Sequence, residues 1–130
     1  MFIQNLNKAQ QEVLLKLAND LMISDGVIDQ SEEELISFIK SQCTEGVSEL
    51  EIFNLSDIKD VFDSKKAKVS MLLELIGLAH ADGDYGKEEK VFINEIASLL
   101  NINETNLIEL ENWVQRQLDL VNDSVMLMEE

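Results

Sequence analysis

Two acidic turns carry the residues whose types and spacing could do chemistry in this sequence. The pattern Asp-Gly, five residues, then Glu occurs at Asp25 and Glu32 and again, 57 residues later, at Asp82 and Glu89. Each pair flanks a turn between two predicted helices, so folding can bring its carboxylates together. Neighbouring carboxylates repel each other unless one is protonated or a cation bridges them. Hard oxygen ligands of this kind suit Ca²⁺, Mg²⁺ or Mn²⁺. Further candidate ligands beside the turns are Asp29, Asp84 and Glu88.

Turn chemistry alone is the alternative interpretation of the two glycines. Gly26 and Gly83 each follow the last periodic residue of a predicted helix, where glycine supplies the left-handed C-terminal cap. This role does not explain Asp25 and Asp82, because a carboxylate near the C-terminus of a helix interacts unfavourably with its dipole.

Helix capping is the alternative interpretation of the two glutamates. Asp29 is a good N-cap, and Glu32 at the third helical position completes a capping box with it. In the second copy the aligned cap position is Gly86, which has no side chain. Glu89 is therefore less well explained by capping than Glu32.

Other recognised chemistry is absent from the sequence pattern. An EF-hand loop needs Gly at position 6 and Glu at position 12, whereas these loops would place there Gln30 and Ile36, or Lys87 and Ile93. A di-iron bundle needs two Glu-x-x-His motifs, and the chain has one histidine. No nucleophile–base constellation or phosphate loop is present, so we predict that the protein is not an enzyme.

Three single residues could still have particular roles. We expect His80 to pack near the second turn, and the alternative is a nitrogen ligand beside Asp82. Cys43 aligns with Leu100 in the second copy, which indicates a buried small side chain. Trp113 is predicted to belong to the core, with a partner contact as the alternative.

Long helices must position these residues. The chain of 130 residues has no proline, which favours uninterrupted helices. Apolar residues at spacings of three and four predict helices over about 6–24, 30–43, 65–81, 87–100 and 104–121, with short helical turns over 44–64. Ser56 and Ser64 are the expected caps in that connection, and the tail after Asn122 is expected to fray.

The chain also contains an internal repeat. Residues 20–39 and 77–96 share six of twenty positions, and both contain a buried-type helix, an Asp-Gly turn and an amphipathic helix. We therefore predict an all-α fold, a compact bundle of two pseudo-repeated helical hairpins at about 6–43 and 65–100. Short connecting helices and a C-terminal helix at about 104–121 complete a single domain over 1–130.

At the repeat, the chain resembles a known family. The segments Ser24–Glu32 and Ala81–Glu89 are similar to the duplicated signature of tellurite-resistance protein B (TerB)-like domains, and the resemblance extends roughly over 14–100. It implies an all-helical bacterial domain with a cytoplasmic role, linked to stress or toxic-oxyanion resistance and to membrane-associated complexes. The family signature is thought to bind metal, and by motif this implies four ligands: Asp25, Glu32, Asp82 and Glu89.

The charge of the chain limits its partners. Ten Lys and Arg stand against 26 Asp and Glu, a net charge of −16, spread evenly with 13 acidic and five basic residues in each half. Such a chain repels phosphate backbones and anionic lipids, which argues against nucleic-acid binding and membrane-surface binding. No apolar run approaches the roughly 18–20 residues of a membrane helix, and the N-terminus is not of the signal-peptide type. One cysteine cannot form an intrachain disulfide, which is natural in a reducing compartment.

Together these patterns predict a non-enzymatic, cytoplasmic cation-binding accessory module in a bacterial stress or tellurite-resistance-type system. The alternative is an acidic interaction adaptor that binds no metal and whose Asp-Gly turns are structural. For either function we expect a protein partner that has a basic surface or belongs to a membrane-associated complex. We expect neither nucleic-acid binding nor membrane insertion.

Overall fold

The computed structural model describes residues 2–23, 29–81 and 85–129, and in these ranges it consists of helices and connecting turns without a strand. Six α-helices lie in the described ranges: α1 (Lys8–Met22), α2 (Gln30–Gln42), α3 (Ile58–Val61), α4 (Lys65–Ala81), α5 (Lys87–Leu99) and α6 (Glu104–Met128). Two 3-10 turns, Ile3–Asn5 and Leu55–Asp57, precede α1 and α3. The predicted all-α fold class is confirmed.

Helix α1 starts two residues later than the periodicity predicts. Asn7 is its N-cap and forms a reciprocal capping box with Gln10: each side-chain oxygen accepts a hydrogen bond from the other's backbone N–H at 2.9 Å. The box satisfies two N–H groups that a helix start leaves unpaired. Leu6 therefore lies outside the helix, although its side chain is buried.

The core lies around α1 and α4, which pack against each other. Helix α4 is buried on nearly every side: Met71, Leu72, Leu75 and Ile76 are all fully buried. Helix α4 contacts α1, α5, α6 and the first 3-10 turn, so most of its surface has apolar neighbours. One continuous cluster of buried apolar residues results.

The connection between α2 and α4 is held against the core by glutamine hydrogen bonds and by buried apolar side chains. Gln11 accepts a hydrogen bond from the Thr44 N–H at 2.7 Å and donates one to the Leu6 carbonyl at 2.9 Å. Ile58 and Phe62 are fully buried. The predicted short helical turns are present, as the second 3-10 turn and α3.

The caps in this connection follow the prediction at one site of two. Ser64 caps α4, because its Oγ accepts a hydrogen bond from the Ala67 N–H at 3.1 Å. The cap of the second 3-10 turn is Asn54, whose Oδ1 accepts the Ser56 N–H. The expectation of a cap at Ser56 is therefore wrong.

Helix α6 is longer than predicted. Asn103 caps its start by accepting a hydrogen bond from the Asn106 N–H at 2.8 Å. The helix then runs without a break to Met128 instead of ending near Val121, which corrects the expectation that the tail after Asn122 frays. No Gly or Pro after Val121 stops it. Its first half packs through Leu107 and Val114, and its last two turns are exposed.

Helices α1 and α2 form one packed pair and α4 and α5 another. The pseudo-twofold relation between the two pairs stays a prediction. Among the described helices, none is both long enough and apolar enough to cross a membrane.

Candidate cation site at the acidic turns

The start of α2 has the capping box that the sequence predicts. Asp29 Oδ1 accepts hydrogen bonds from the Glu32 N–H and the Ser31 hydroxyl, both at 2.9 Å, and Glu32 Oε1 accepts the Asp29 N–H at 3.1 Å. The backbone hydrogen bond from Glu32, followed by the Ser31 hydroxyl, lowers the pKa of Asp29 below its ordinary value. Asp29 itself is fully exposed, so it is a cap at the surface.

The start of α5 repeats half of this arrangement. Glu89 Oε1 accepts a hydrogen bond from the Gly86 N–H at 3.0 Å. Gly86 has no side chain to accept a bond in return, so the reciprocal half of a capping box is missing. Capping therefore explains one oxygen of Glu89, which is more than the sequence suggested.

Burial sets these two glutamates apart from the other acidic residues. Glu32 is 6% exposed and Glu89 is 4% exposed, and they are the two buried carboxylates in the described part of the chain. Their neighbours Glu33 and Glu88 lie in the same first turns and are exposed. A helix N-terminus favours a carboxylate through its dipole and N–H groups, but removing its charge from water remains costly unless the charge is paired.

The structure describes two of the four predicted ligands. Glu32 and Glu89 lie in the first turns of α2 and α5, whereas Asp25 and Asp82 lie outside the described residues, as do Asp84 and the two Asp-Gly glycines. Among the residues that are described, no three His, Cys, Asp or Glu side chains lie close enough to hold a metal ion. The described residues thus supply one buried carboxylate beside each turn.

A polar cluster beside the second turn was missed by the sequence analysis. The Tyr85 hydroxyl donates a hydrogen bond to Glu111 Oε2 at 2.6 Å. The His80 ring packs against the Tyr85 ring with centroids 4.9 Å apart, and Lys90 Nζ lies over the Tyr85 ring, 5.3 Å from its centroid. The available signal was Glu111, an acidic residue four positions after Leu107 and three before Val114 on the buried stripe of α6.

The cluster perturbs the titration of its members. Burial, with the Glu111 hydrogen bond and charge, raises the pKa of Tyr85 far above its ordinary value. Burial lowers the pKa of His80, while the Glu111 carboxylate opposes this shift. His80 therefore packs near the second turn as predicted, as a half-buried ring favoured in its neutral form.

Cys43 and Trp113 both lie at the margin of the core. Cys43 is half-buried, its Sγ donates to the Ile39 carbonyl at 3.4 Å, and burial raises the pKa of its thiol. A raised pKa makes the reactive thiolate scarce. Trp113 packs edge-on against Phe2, with ring centroids 5.6 Å apart, and stays 36% exposed. It is therefore only partly the core residue that was expected.

Comparison with known proteins places the chain in a family. A family model described as Tellurite resistance protein TerB matches residues 42–112, more than half of the chain. The matched range contains α3, α4, α5, the second acidic turn and the start of α6, so it includes Asp82 and Glu89 but neither Asp25 nor Glu32. No curated protein and no solved structure matches the chain.

Proposed function

Because the chain belongs to the tellurite resistance protein TerB family, we propose that it is a non-enzymatic, cytoplasmic cation-binding accessory module. Its setting is a bacterial stress or tellurite-resistance-type system, in which it works with a protein partner. The cation is divalent and of the hard class: Ca²⁺, Mg²⁺ or Mn²⁺. Its ligands are Asp25, Glu32, Asp82 and Glu89.

The observation that carries the proposal is the burial of Glu32 and Glu89. Both stand at the third position of the helix that follows an Asp-Gly turn, and both are at most 6% exposed. Each has one oxygen held by an N–H of its own cap, at 3.1 Å and 3.0 Å. This fixes the orientation of each carboxylate before any ligand arrives. A pre-oriented, desolvated carboxylate binds a cation with less loss of conformational entropy than a mobile surface residue.

The net charge of −16 supports the same proposal. A strongly negative surface raises the local concentration of divalent cations. A bound cation would also offset the cost of burying the two carboxylates, because its positive charge compensates negative charge that has been removed from water. Binding that favours the folded state stabilises it by about 2.7 kcal/mol at a concentration one hundred times Kd.

The test is thermal unfolding of chelator-stripped protein with and without each divalent cation. We expect at least one of the three cations to raise Tm by several degrees, because about 1 kcal/mol corresponds to roughly 4 °C in a domain of this size. Sodium chloride at matched ionic strength is the salt control. The double variant Glu32→Gln with Glu89→Gln should lose the rise, since glutamine keeps an oxygen for the cap N–H and removes the charge.

Two exposed glutamates offer a matched control. The double variant Glu33→Gln with Glu95→Gln removes the same charge from the same two helices at exposed positions, and it should keep the rise in Tm. The variant Asp25→Asn with Asp82→Asn should lose it. Absence of a cation-specific shift in the wild type would contradict the proposal and favour the metal-free adaptor. A shift that survives both ligand variants would place the cation elsewhere.

A further inference from the structure

An apolar groove opens between α2 and α4, and its lining reaches Ala81, the residue before the second acidic turn. It has a volume of about 260 Å³ and is lined by Leu35, Phe38, Ile39, Leu73, Gly77 and Leu78. Phe38 is 61% exposed, although α2 otherwise presents polar side chains to solvent. Glu74 is the one charged residue in the lining, which also includes Phe2, Gln42 and Gln117. The groove is thus mostly apolar, with one acidic group in its lining.

Gly77 keeps the floor of the groove open. It lies inside α4, where glycine costs about 1 kcal/mol relative to alanine. A Cβ placed on Gly77 would meet nothing within 4 Å. No close packing inside the protein therefore demands glycine here, and its effect is to deepen the groove from the outside.

Helix α6 extends this surface beyond the body of the protein. Gln117 lines the groove, and Val121 lies one turn further along the same face of the helix. Val121, Val125 and Met128 continue the stripe that Val114 and Leu118 begin, at alternating spacings of four and three, and they are 54%, 51% and 78% exposed. We call these three residues the α6 stripe. The stripe continues along the helix that borders the groove at Gln117, beyond the residues that line the groove.

Charge decides which occupant suits this surface. From residue 117 to the end the chain has four acidic residues, at 119, 123, 129 and 130, and no Lys or Arg. The C-terminal end of α6 adds the negative end of its dipole. A second copy of this chain would bring another charge of −16 to the contact, which opposes self-association. A basic segment gains from the same field.

We propose that the groove and the α6 stripe together dock a basic amphipathic helix of a partner protein. The apolar side chains of that helix, at i, i+3/i+4 and i+7, enter the groove and continue along the stripe, and its Lys and Arg residues face the surrounding carboxylates. This surface uses none of the four proposed cation ligands, so the two proposals can fail separately.

Calorimetric titration with a synthetic helix tests the docking surface. The probe is a peptide of three Leu/Lys heptads with leucine on one face, and its control has the same composition in an order that forms no apolar face. We expect the amphipathic peptide to bind at least about tenfold more tightly than the permuted one. Gly77→Leu, which fills the groove, and Val125→Asp, which breaks the stripe, should each weaken binding about tenfold.

The matched control for Val125→Asp is Val91→Asp. Val91 is 59% exposed on α5 and lies outside the groove, so the variant adds the same charge without touching the surface and should bind as the wild type does. Equal affinity for both peptides, or unchanged affinity in Val125→Asp, would overturn the proposal and reduce the binding to general charge attraction. A homodimer in light scattering that Val125→Asp dissociates would also overturn it, because the occupant would be a second copy.

Discussion

At the residue scale, the two buried glutamates distinguish this chain from an ordinary acidic helical protein. The sequence predicted the box of Asp29 and Glu32 because both partners are visible in it. It undervalued the cap at Glu89, because the bond from Gly86 is made by the backbone and has no side-chain signature. Burial separates Glu32 from Glu33 and Glu89 from Glu88. Which of two neighbouring glutamates is buried depends on tertiary packing, and this cannot be read from the amino-acid sequence.

The single histidine gives a residue-scale prediction. Burial lowers the pKa of His80 below 6.5, so the folded state binds this proton less readily than the unfolded chain does. The neutral ring's contribution to stability is complete above pH 6.5 and is lost as the pH falls through the lowered pKa. An NMR titration of the imidazole protons should show a midpoint below 6.5. A midpoint above 6.5 would mean that the Glu111 carboxylate outweighs burial.

At the element scale, the starts of the helices were predictable because capping residues mark them. The end of α6 was not predictable, because no residue there signals a stop. The bounds 65–81 predicted for α4 agree with Lys65–Ala81 in the structure, where Ser64 caps the start. The end of α6 was missed because its last turns are exposed and have no core contact to reveal them. These turns carry Val125 and Met128 of the α6 stripe. Because the sequence predicted that the helix ends near residue 121, it did not reveal this surface.

Gly77 gives a prediction about α4. Gly77→Ala should raise the free energy of unfolding by about 1 kcal/mol, because alanine removes the helix penalty of glycine and its Cβ enters open space. Urea unfolding followed by circular dichroism measures the change. A lower free energy of unfolding in the alanine variant would show that the position does not tolerate a Cβ. Gly77→Leu would then be unsuitable as the variant that fills the groove.

At the scale of the whole molecule, the all-α fold follows from a chain without proline and with apolar residues at helical spacing. The even distribution of a charge of −16 was also readable from sequence, and it argues for cationic ligands or basic partners. Sequence could not show which carboxylates lose contact with water. That depends on how α2 and α5 pack against α1 and α4, and it is the packing that singles out Glu32 and Glu89.

We propose that these two carboxylates help to bind a divalent cation. Equilibrium dialysis of chelator-stripped protein against Mn²⁺, at physiological ionic strength, tests it most directly. We expect saturable binding that is lost in the Glu32→Gln, Glu89→Gln double variant and kept in the Glu33→Gln, Glu95→Gln double variant. If Ca²⁺ or Mg²⁺ is the preferred ion, it should displace Mn²⁺ from the same site. Weak, unsaturable uptake that is equal in all three proteins, with no competition among the three cations, would show that Glu32 and Glu89 do not bind a divalent cation.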